Sequence, residues 1–326
     1  MAEVSLVEAV NLALAHEMAR DPSVVLLGED IGRNGGVFRA SAGLQARFGE
    51  QRVLDTPLAE TAIAGLAIGM AAEGLKPVAE IQFTGFIYPT LDHMINHASR
   101  LRNRTRGRLT CPMVLRSPCG AGIHAPEHHS ESPEALFAHV PGLRVVIPSS
   151  PSRAYGLLLA AIRDPDPVVF FEPTRLYRLF KQEVKDDGEP LPLDVCYVVR
   201  EGTGVTLVSW GAMLHETLAA ADVLAREAIA AEVIDVATLK PLDMATILAS
   251  VAKTGRCVIV HEAARSGGVG AEIAAGLAEH GLMSLLAPVS RVTGYDVVVP
   301  YSKLEYQFLP SVDRILDAVR GVLSFG

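Results

Sequence analysis

The sequence predicts an α/β protein of two domains, each a mainly parallel sheet with helices on both faces. Three observations carry this. Apolar runs of about five residues alternate with longer stretches of helical period, as strands and crossover helices do in a parallel sheet covered on both sides. The rhythm breaks once, at "KQEVKDDGEPLP" (181–192), a charged stretch with Gly188, Pro190 and Pro192, and then restarts. The 326 residues, 49% of them apolar, suffice for two buried cores.

The elements follow in order. Apolar residues at helical spacing open the chain, with Ser5 as N-cap and Glu8 three residues on, a capping-box pattern. Strands are expected at 24–28, 77–82, 112–117, 143–147 and 167–171, with helices at 60–73, 88–101 and 152–162. After the break, strands fit 205–210, 230–235 and 257–261, and helices fit 214–226, 244–254 and 269–279. The predicted boundaries are a first domain over 1–180, a linker over 181–197 and a second domain over 198–326. No short repeat or low-complexity tract is visible.

Composition narrows the function. No apolar run approaches the roughly 18 residues of a membrane span. The N-terminal helix begins at once, so no signal or transit peptide is expected. Four scattered cysteines (Cys111, Cys119, Cys196, Cys257) form no CxxC pair, which suits a reducing compartment and disfavours structural zinc. A formal charge of −8 disfavours nucleic acid as the main partner. The cytoplasm is the expected location.

Several motifs are excluded. There is no P-loop and no GxSxG elbow. "SGGVGAEIAAGL" (266–277) lacks the full GxGxxG spacing and reads as strand–helix packing. Ser250-x-x-Lys253 and Lys253-Thr254-Gly255 resemble penicillin-binding motifs but share one lysine where that chemistry needs two. His124-Ala125-Pro126-Glu127-His128 spells the HxxEH of inverted zinc peptidases. That motif works only on a helix, and Pro126 inside it would cost roughly 3 kcal/mol. The segment is therefore read as a loop. Its three histidines allow two readings, a solvated polar loop or a histidine held over a pocket at the strand ends. Arginines at 100, 102, 104, 106 and 108 read first as a solvated helix end and next as a contact for acidic protein.

"DTPLAETAIAGLAIGMAAEG" (55–74) is a strand end, a turn and an apolar helix. Glu60 in its first turn complements the helix dipole by about 0.3–1 kcal/mol, which suffices as a structural role. Its apolar flank (Leu58, Ala59, Ala62, Ile63) would also desolvate the carboxylate, raise its pKa and fit it to share a proton.

Taken together, "LLGEDIGRNGGVF", "DTPLAETAIAGLAIGMA", "AEIQFTGFIYPTLDHMINHASR", "HHSESPEALFAHVPGLRVVIPSSP" and "AAIRDPDPVVFFEPTRLYR" resemble the beta subunit of the thiamine-diphosphate-dependent component of 2-oxo acid dehydrogenases. In the second half "EVIDVATLKPLDMATILASVAKTGRCVIVHEA" and "APVSRVTGYDVVVPY" fit as well. The likeness runs in order along almost the whole chain. It implies a transketolase-like pyrimidine-binding domain followed by a transketolase C-terminal-like domain. It also implies a reaction, oxidative decarboxylation of pyruvate or a branched-chain 2-oxo acid with acyl transfer to a lipoyl group.

The resemblance assigns residues too. Glu60 matches the glutamate at N1′ of the cofactor's aminopyrimidine. Leu58 and Gln82 match positions lining the pyrimidine pocket, and Phe86 matches an aromatic one that is tyrosine in some relatives. His129 matches the active-site histidine, although "HHSES" replaces the commoner "YHSQS" and Glu131 adds a charge. "AAIRDPDP" resembles a structural potassium loop, with the Ala161 carbonyl, Asp164 and Asp166 as oxygen donors.

The diphosphate half of such a site needs Mg2+ on a GDG motif followed by asparagine. This chain has no GDG and only four asparagines. The resemblance therefore implies an alpha subunit that holds Mg2+ and the diphosphate, an α2β2 assembly, and an acyltransferase core as further partner. An acetoin dehydrogenase beta subunit and a mainly scaffolding subunit remain as alternatives at this point.

Overall fold

A computed structural model describes residues 2–325. It divides into two units, one of residues Met1–Cys119 and Leu136–Leu193, the other of Gly120–Ala135 and Asp194–Gly326.

The first unit contains strands β1 (Ala2–Val4), β2 (Val24–Gly28), β3 (Val53–Asp55), β4 (Lys76–Glu80), β5 (Val114–Cys119), β6 (Arg144–Val146), β7 (Val168–Pro173) and β8 (Gln182–Val184). Six of them form a wholly parallel sheet in the order β6-β7-β5-β4-β2-β3. Every residue of β2, β5 and β7 is buried, as expected of strands covered on both faces. The N-terminal helix, Leu6–Arg20, has the predicted capping box, in which the Glu8 carboxylate accepts the Ser5 backbone N–H at 2.8 Å. It packs on the helix Pro151–Arg163. Buried Glu17 bridges the two through Arg163, 2.5 Å away.

Two sequence expectations need correction here. The stretch read as linker is not wholly irregular, because β8 pairs antiparallel with β1 from Ala2↔Val184 to Val4↔Gln182. Its charged residues suit an edge strand, which a propensity reading takes for a loop. The single helix expected over 88–101 is broken into a 3-10 turn (Tyr88–Thr90), a helix (Leu91–Asn96), a second 3-10 turn (Ala98–Arg100) and a short helix (Leu101–Arg104). His97 leaves helical geometry at φ −122° and ψ −65°, and the Arg104 guanidinium donates to the carbonyl of Asn96 at 2.5 Å. A side chain thus replaces the missing helical hydrogen bond.

The second unit holds β9 (Tyr197–Arg200), β10 (Val205–Ser209), β11 (Ala231–Asp235), β12 (Thr238–Lys240), β13 (Cys257–His261) and β14 (Ser290–Thr293). Its sheet runs β14-β13-β10-β11-β9, parallel except at β9. The helix Met244–Thr254 starts on Asp243, whose carboxylate accepts the Thr246 N–H, and ends on Gly255 at φ 72°, a left-handed cap that glycine adopts without strain. The glycine-rich turn at 266–270 packs helix against strand. A Cβ at Gly270 would lie 2.6 Å from the ring of His261, so the turn needs glycine for close approach. Among the described residues no helix is long and apolar enough to cross a membrane.

Candidate active site

In the first unit the ends of β2, β3 and β4 are aligned, Gly28 pairing with Asp55 on one side and Glu80 on the other. The residues that follow leave the sheet along one edge, where open α/β sheets receive ligands. Glu29 follows β2, Leu58 and Glu60 follow β3, and Gln82 and Phe86 follow β4. The turn after β2 is fastened to β3, because the Asp55 carboxylate accepts the N–H groups of Gly32 (2.6 Å) and Arg33 (3.1 Å).

Glu60 opens the helix Glu60–Ala72, whose N-cap, Ala59, provides no side-chain hydrogen bond. The carboxylate is half-buried and makes no hydrogen bond or ion pair among the described residues. It is therefore available to a ligand. Gln82 is turned toward the same edge, its Nε2 donating to the Glu29 carbonyl at 3.3 Å. The Glu29 carboxyl is held above its usual range, first by burial and then by the negative charges of Asp30 and Glu60. Glu29 was missed by sequence reasoning. The clue lay in "GED", an acid immediately after a buried strand in the same parallel layer as Glu60.

The expectation that Glu60 sits in a dry apolar flank needs correction. Ile63 is buried, but Ala62 is exposed, and Leu58 and Leu66 are 70% and 47% exposed. A helix apolar on all sides normally lies inside a core. Here one face, Leu58, Ala62, Leu66 and Gly69, is left open.

Beneath this edge lies a buried ion network. Arg116 on β5 donates from Nε and Nη2 to both oxygens of Glu172 on β7 (2.7 and 3.0 Å) and from Nη1 to Glu80 on β4 (2.9 Å). The Tyr177 hydroxyl donates to Glu172 at 2.7 Å. Tyr177 also packs on Phe38, which meets Phe83, which meets Phe86, at ring distances of 5.0, 5.6 and 6.1 Å. An aromatic chain thus connects Phe86 to the charged core. Burial pushes Glu80 up despite Arg116 beside it, and raises the Tyr177 hydroxyl further.

His129 belongs to the second unit, in a 3-10 turn (Glu127–His129) rather than a helix. The HxxEH spelling therefore carries no peptidase geometry. His124 sits at a left-handed φ of 59°. Glu305, which sequence reasoning also missed, anchors the turn by accepting the N–H groups of Gly122 (2.7 Å) and His124 (3.0 Å). The Glu262 carboxylate accepts the N–H of Ala121 at 2.9 Å. The His129 ring lies 4.1 Å from that of His128. Burial, and then the neighbouring His128, hold His129 below the usual histidine range, so it stays neutral further into acid.

Glu134, which opens the short helix Glu134–Ala138, is 2% exposed and accepts the Trp210 indole N–H at 3.3 Å. Burial and then the nearby Glu262 push its carboxyl up to about 8. The folded chain holds this proton across a window where the unfolded chain has lost it. Folding stability attributable to Glu134 is therefore full below about pH 4.5 and falls as pH rises toward 8, at about 1.4 kcal/mol per pH unit at most. Glu134→Gln should abolish this loss, so urea midpoints of variant and wild type should diverge in the variant's favour from pH 5 to pH 8. Parallel curves would show that Glu134 is not buried as an acid.

The predicted potassium loop is differently engaged. Asp164 pairs with Arg144 at 2.9 Å, Asp166 with Arg102 at 2.7 Å, and the Ala161 carbonyl accepts the Asp164 N–H at 3.3 Å. A cation would have to compete with two arginines for these oxygens, so the donor set does not fit potassium as it stands. The Arg102 contact also shows that part of the arginine run serves the protein's own carboxylates. A cavity of about 660 Å³ lined by Ser5, Glu8, Asn11, Arg39, Arg178 and Lys181 includes none of the predicted site residues.

The family model of the transketolase pyrimidine-binding domain matches residues 2–179, and that of the transketolase C-terminal domain matches residues 195–315. The beta subunit of the pyruvate dehydrogenase E1 component of Bacillus subtilis is 48% identical over 325 residues, covering 100% of each chain. That of Acholeplasma laidlawii is 50% identical over 320 residues, 98% of each. Among solved structures a split-gene transketolase, an inactive beta4 tetramer, superposes with a TM-score of 0.81 at 23% identity over 99% of each chain, a likeness of fold. The chain belongs to the family of pyruvate dehydrogenase E1 beta subunits, thiamine-dependent 2-oxo acid dehydrogenase components built from transketolase pyrimidine-binding and C-terminal domains.

Proposed function

We propose that this chain is the beta subunit of a pyruvate dehydrogenase, active with an alpha subunit in an α2β2 assembly and passing its acyl product to the lipoyl group of an acyltransferase. The observation that carries the reading is the sheet edge where Glu60, with no hydrogen bond or ion pair among the described residues, acts on Glu29, whose carbonyl accepts the Gln82 amide. Relatives of nearly half identity carry the pyruvate dehydrogenase name, which favours pyruvate over branched-chain 2-oxo acids or acetoin.

In this reading residues 1–180 form the pyrimidine-binding domain, 181–197 the linker and 198–326 the C-terminal-like domain. Leu58, Gln82 and Phe86 line the pyrimidine side, with Phe86 giving an apolar wall without a hydroxyl. Bound thiamine diphosphate supplies the carbon nucleophile and the electron sink for loss of CO2. Glu60 shares a proton with the aminopyrimidine N1′, and its negative charge, after burial and Asp30, raises the neighbouring Glu29 carboxyl. His129, neutral at physiological pH, exchanges a proton with the acyl acceptor. The alpha subunit holds the diphosphate and Mg2+, for which this sequence offers no GDG motif. Its docking covers Leu58, Ala62 and Leu66 and dries the site.

The test is reconstitution. Coexpressed with its alpha subunit, the chain should decarboxylate pyruvate with kcat/KM at least tenfold above that for branched-chain 2-oxo acids, and leave acetoin untouched. A preference for either alternative overturns the substrate assignment. Activity without any alpha subunit overturns the shared site.

A further inference from the structure

The broken helix in the first unit places three metal-ligating side chains together, none of them a residue given a role above. Asp92 and His93 are consecutive on the helix Leu91–Asn96, and His97 follows at its C-terminal boundary. One donor atom from each of the three lies within 4.8 Å of the others. We propose that Asp92, His93 and His97 bind a divalent transition-metal ion of the class that prefers imidazole, with Zn2+ as the reference case.

The backbone brings the two histidines to one face. His93 and His97 are four residues apart, a spacing found in structural and catalytic zinc sites. The His97 N–H still donates to the His93 carbonyl at 3.0 Å, so the helical spacing persists although His97 itself departs from helical angles. The rings lie 5.6 Å apart and are tilted by 37°, which separates them enough for an ion to sit between nitrogens.

Two of the three ligands are also backed by a neighbour, as metal ligands generally are. One Asp92 oxygen accepts the Asn96 amide at 2.7 Å, which fixes the carboxylate and leaves its second oxygen to coordinate. The His93 ring lies against Gly65 on the helix that Glu60 begins. A Cβ added there would stand 3.4 to 3.8 Å from Cε1, Nε2 and Nδ1, so the backbone forms a flat seat for the imidazole.

Ligand chemistry selects the ion. Two imidazoles and one carboxylate suit Zn2+, Ni2+ or Cu2+, whereas Ca2+ and Mg2+ require shells of oxygen. Three protein ligands leave a fourth position open to water or another ligand, as in catalytic zinc sites. Asp92 and His97 are exposed and His93 half-buried, so an ion can enter without opening the core.

The test uses the full chain without a histidine tag, stripped with chelator and titrated calorimetrically with Zn2+. One equivalent should bind, and His93→Gln and His97→Gln should each weaken binding at least about 100-fold, beyond the 10- to 100-fold lost with outer-sphere partners. Cu2+ should show nitrogen hyperfine coupling from two imidazoles in the wild type and from one in either variant. His128→Gln, which alters the other adjacent pair of imidazoles, should leave this binding unchanged. Zn2+ should raise the thermal midpoint of the wild type and not that of the double variant His93→Gln/His97→Gln. The proposal fails if the double variant binds Zn2+ with wild-type stoichiometry and affinity. It fails equally if the wild type binds no equivalent, or binds Mg2+ as well as Zn2+. The substituted side chains are exposed or half-buried and outside the hydrophobic core, and circular dichroism should show both variants folded.

Discussion

Glu60→Gln should lower kcat of the reconstituted enzyme by at least about 100-fold while assembly with the alpha subunit stays intact. The substitution keeps the size of the side chain and its capacity for hydrogen bonding. It removes only the ability to gain and lose a proton, a function worth roughly 10²–10⁴ in rate when a positioned group supplies it. A structural acid in the first turn of a helix would cost no more than about 1 kcal/mol, felt in stability and not in turnover. Sedimentation should therefore give one assembly for both proteins, and steady-state kinetics should separate them. A second readout needs no cofactor. The Glu60 charge contributes to the elevation of the Glu29 carboxyl, so its removal should move the Glu29 titration back toward the ordinary glutamate range. Carboxyl chemical shifts followed against pH would show it. A fully active Glu60→Gln enzyme would remove the assignment, whatever Glu29 does.

Much of this edge was legible in the sequence because local rules and burial agree there. The buried strands β2 and β13 fall where apolar runs predict them, and the capping box at Ser5 and Glu8 forms as its residues require. Pro126 was enough to dismiss the zinc-peptidase spelling. What local patterns could not reveal depends on pairing across distance. The strand Gln182–Val184 exists because Ala2–Val4 is available beside it, and nothing in "QEV" alone announces that. The break at His97 depends on an arginine seven residues on that takes up a freed carbonyl. Glu29 offered only the local clue of an acid after a buried strand, and Glu305 offered none, because their roles come from neighbours 31 and 181 or more positions away. The openness of the Leu58 flank could not be read either, since apolar residues on an open face and in a core look alike in one chain.

Removing Arg116 should have the largest effect on stability. The residue is 3% exposed, and its guanidinium is shared by two carboxylates on the strands either side of it, both themselves buried. Arg116→Met fills most of the volume but strands Glu80 and Glu172 without their counter-charge. Breaking a buried ion network at one member costs about 3–5 kcal/mol, because the desolvation of the remaining charges goes uncompensated. Lysine should not rescue it, since a single ammonium cannot reproduce the bidentate grip on Glu172 together with the contact to Glu80. The deficit should also depend on pH in a definite sense. Glu80 already binds its proton more tightly than an exposed glutamate, and without Arg116 it should do so over a wider range. Protonation neutralises the stranded charge, so the difference between variant and wild type should be greatest above neutrality and shrink as pH falls toward 5. Urea unfolding of the full chain at several pH values would measure it. The triple replacement of Arg116, Glu80 and Glu172 by apolar residues of similar volume should recover much of the loss, as buried ion networks replaced whole often do. If the single variant unfolds at the wild-type midpoint, the network contributes nothing that packing does not. If the triple variant is stable but leaves Phe86 reoriented, seen in aromatic proton shifts, then the triad's main part is to hold Tyr177 and, through Phe38 and Phe83, the aromatic wall of the site.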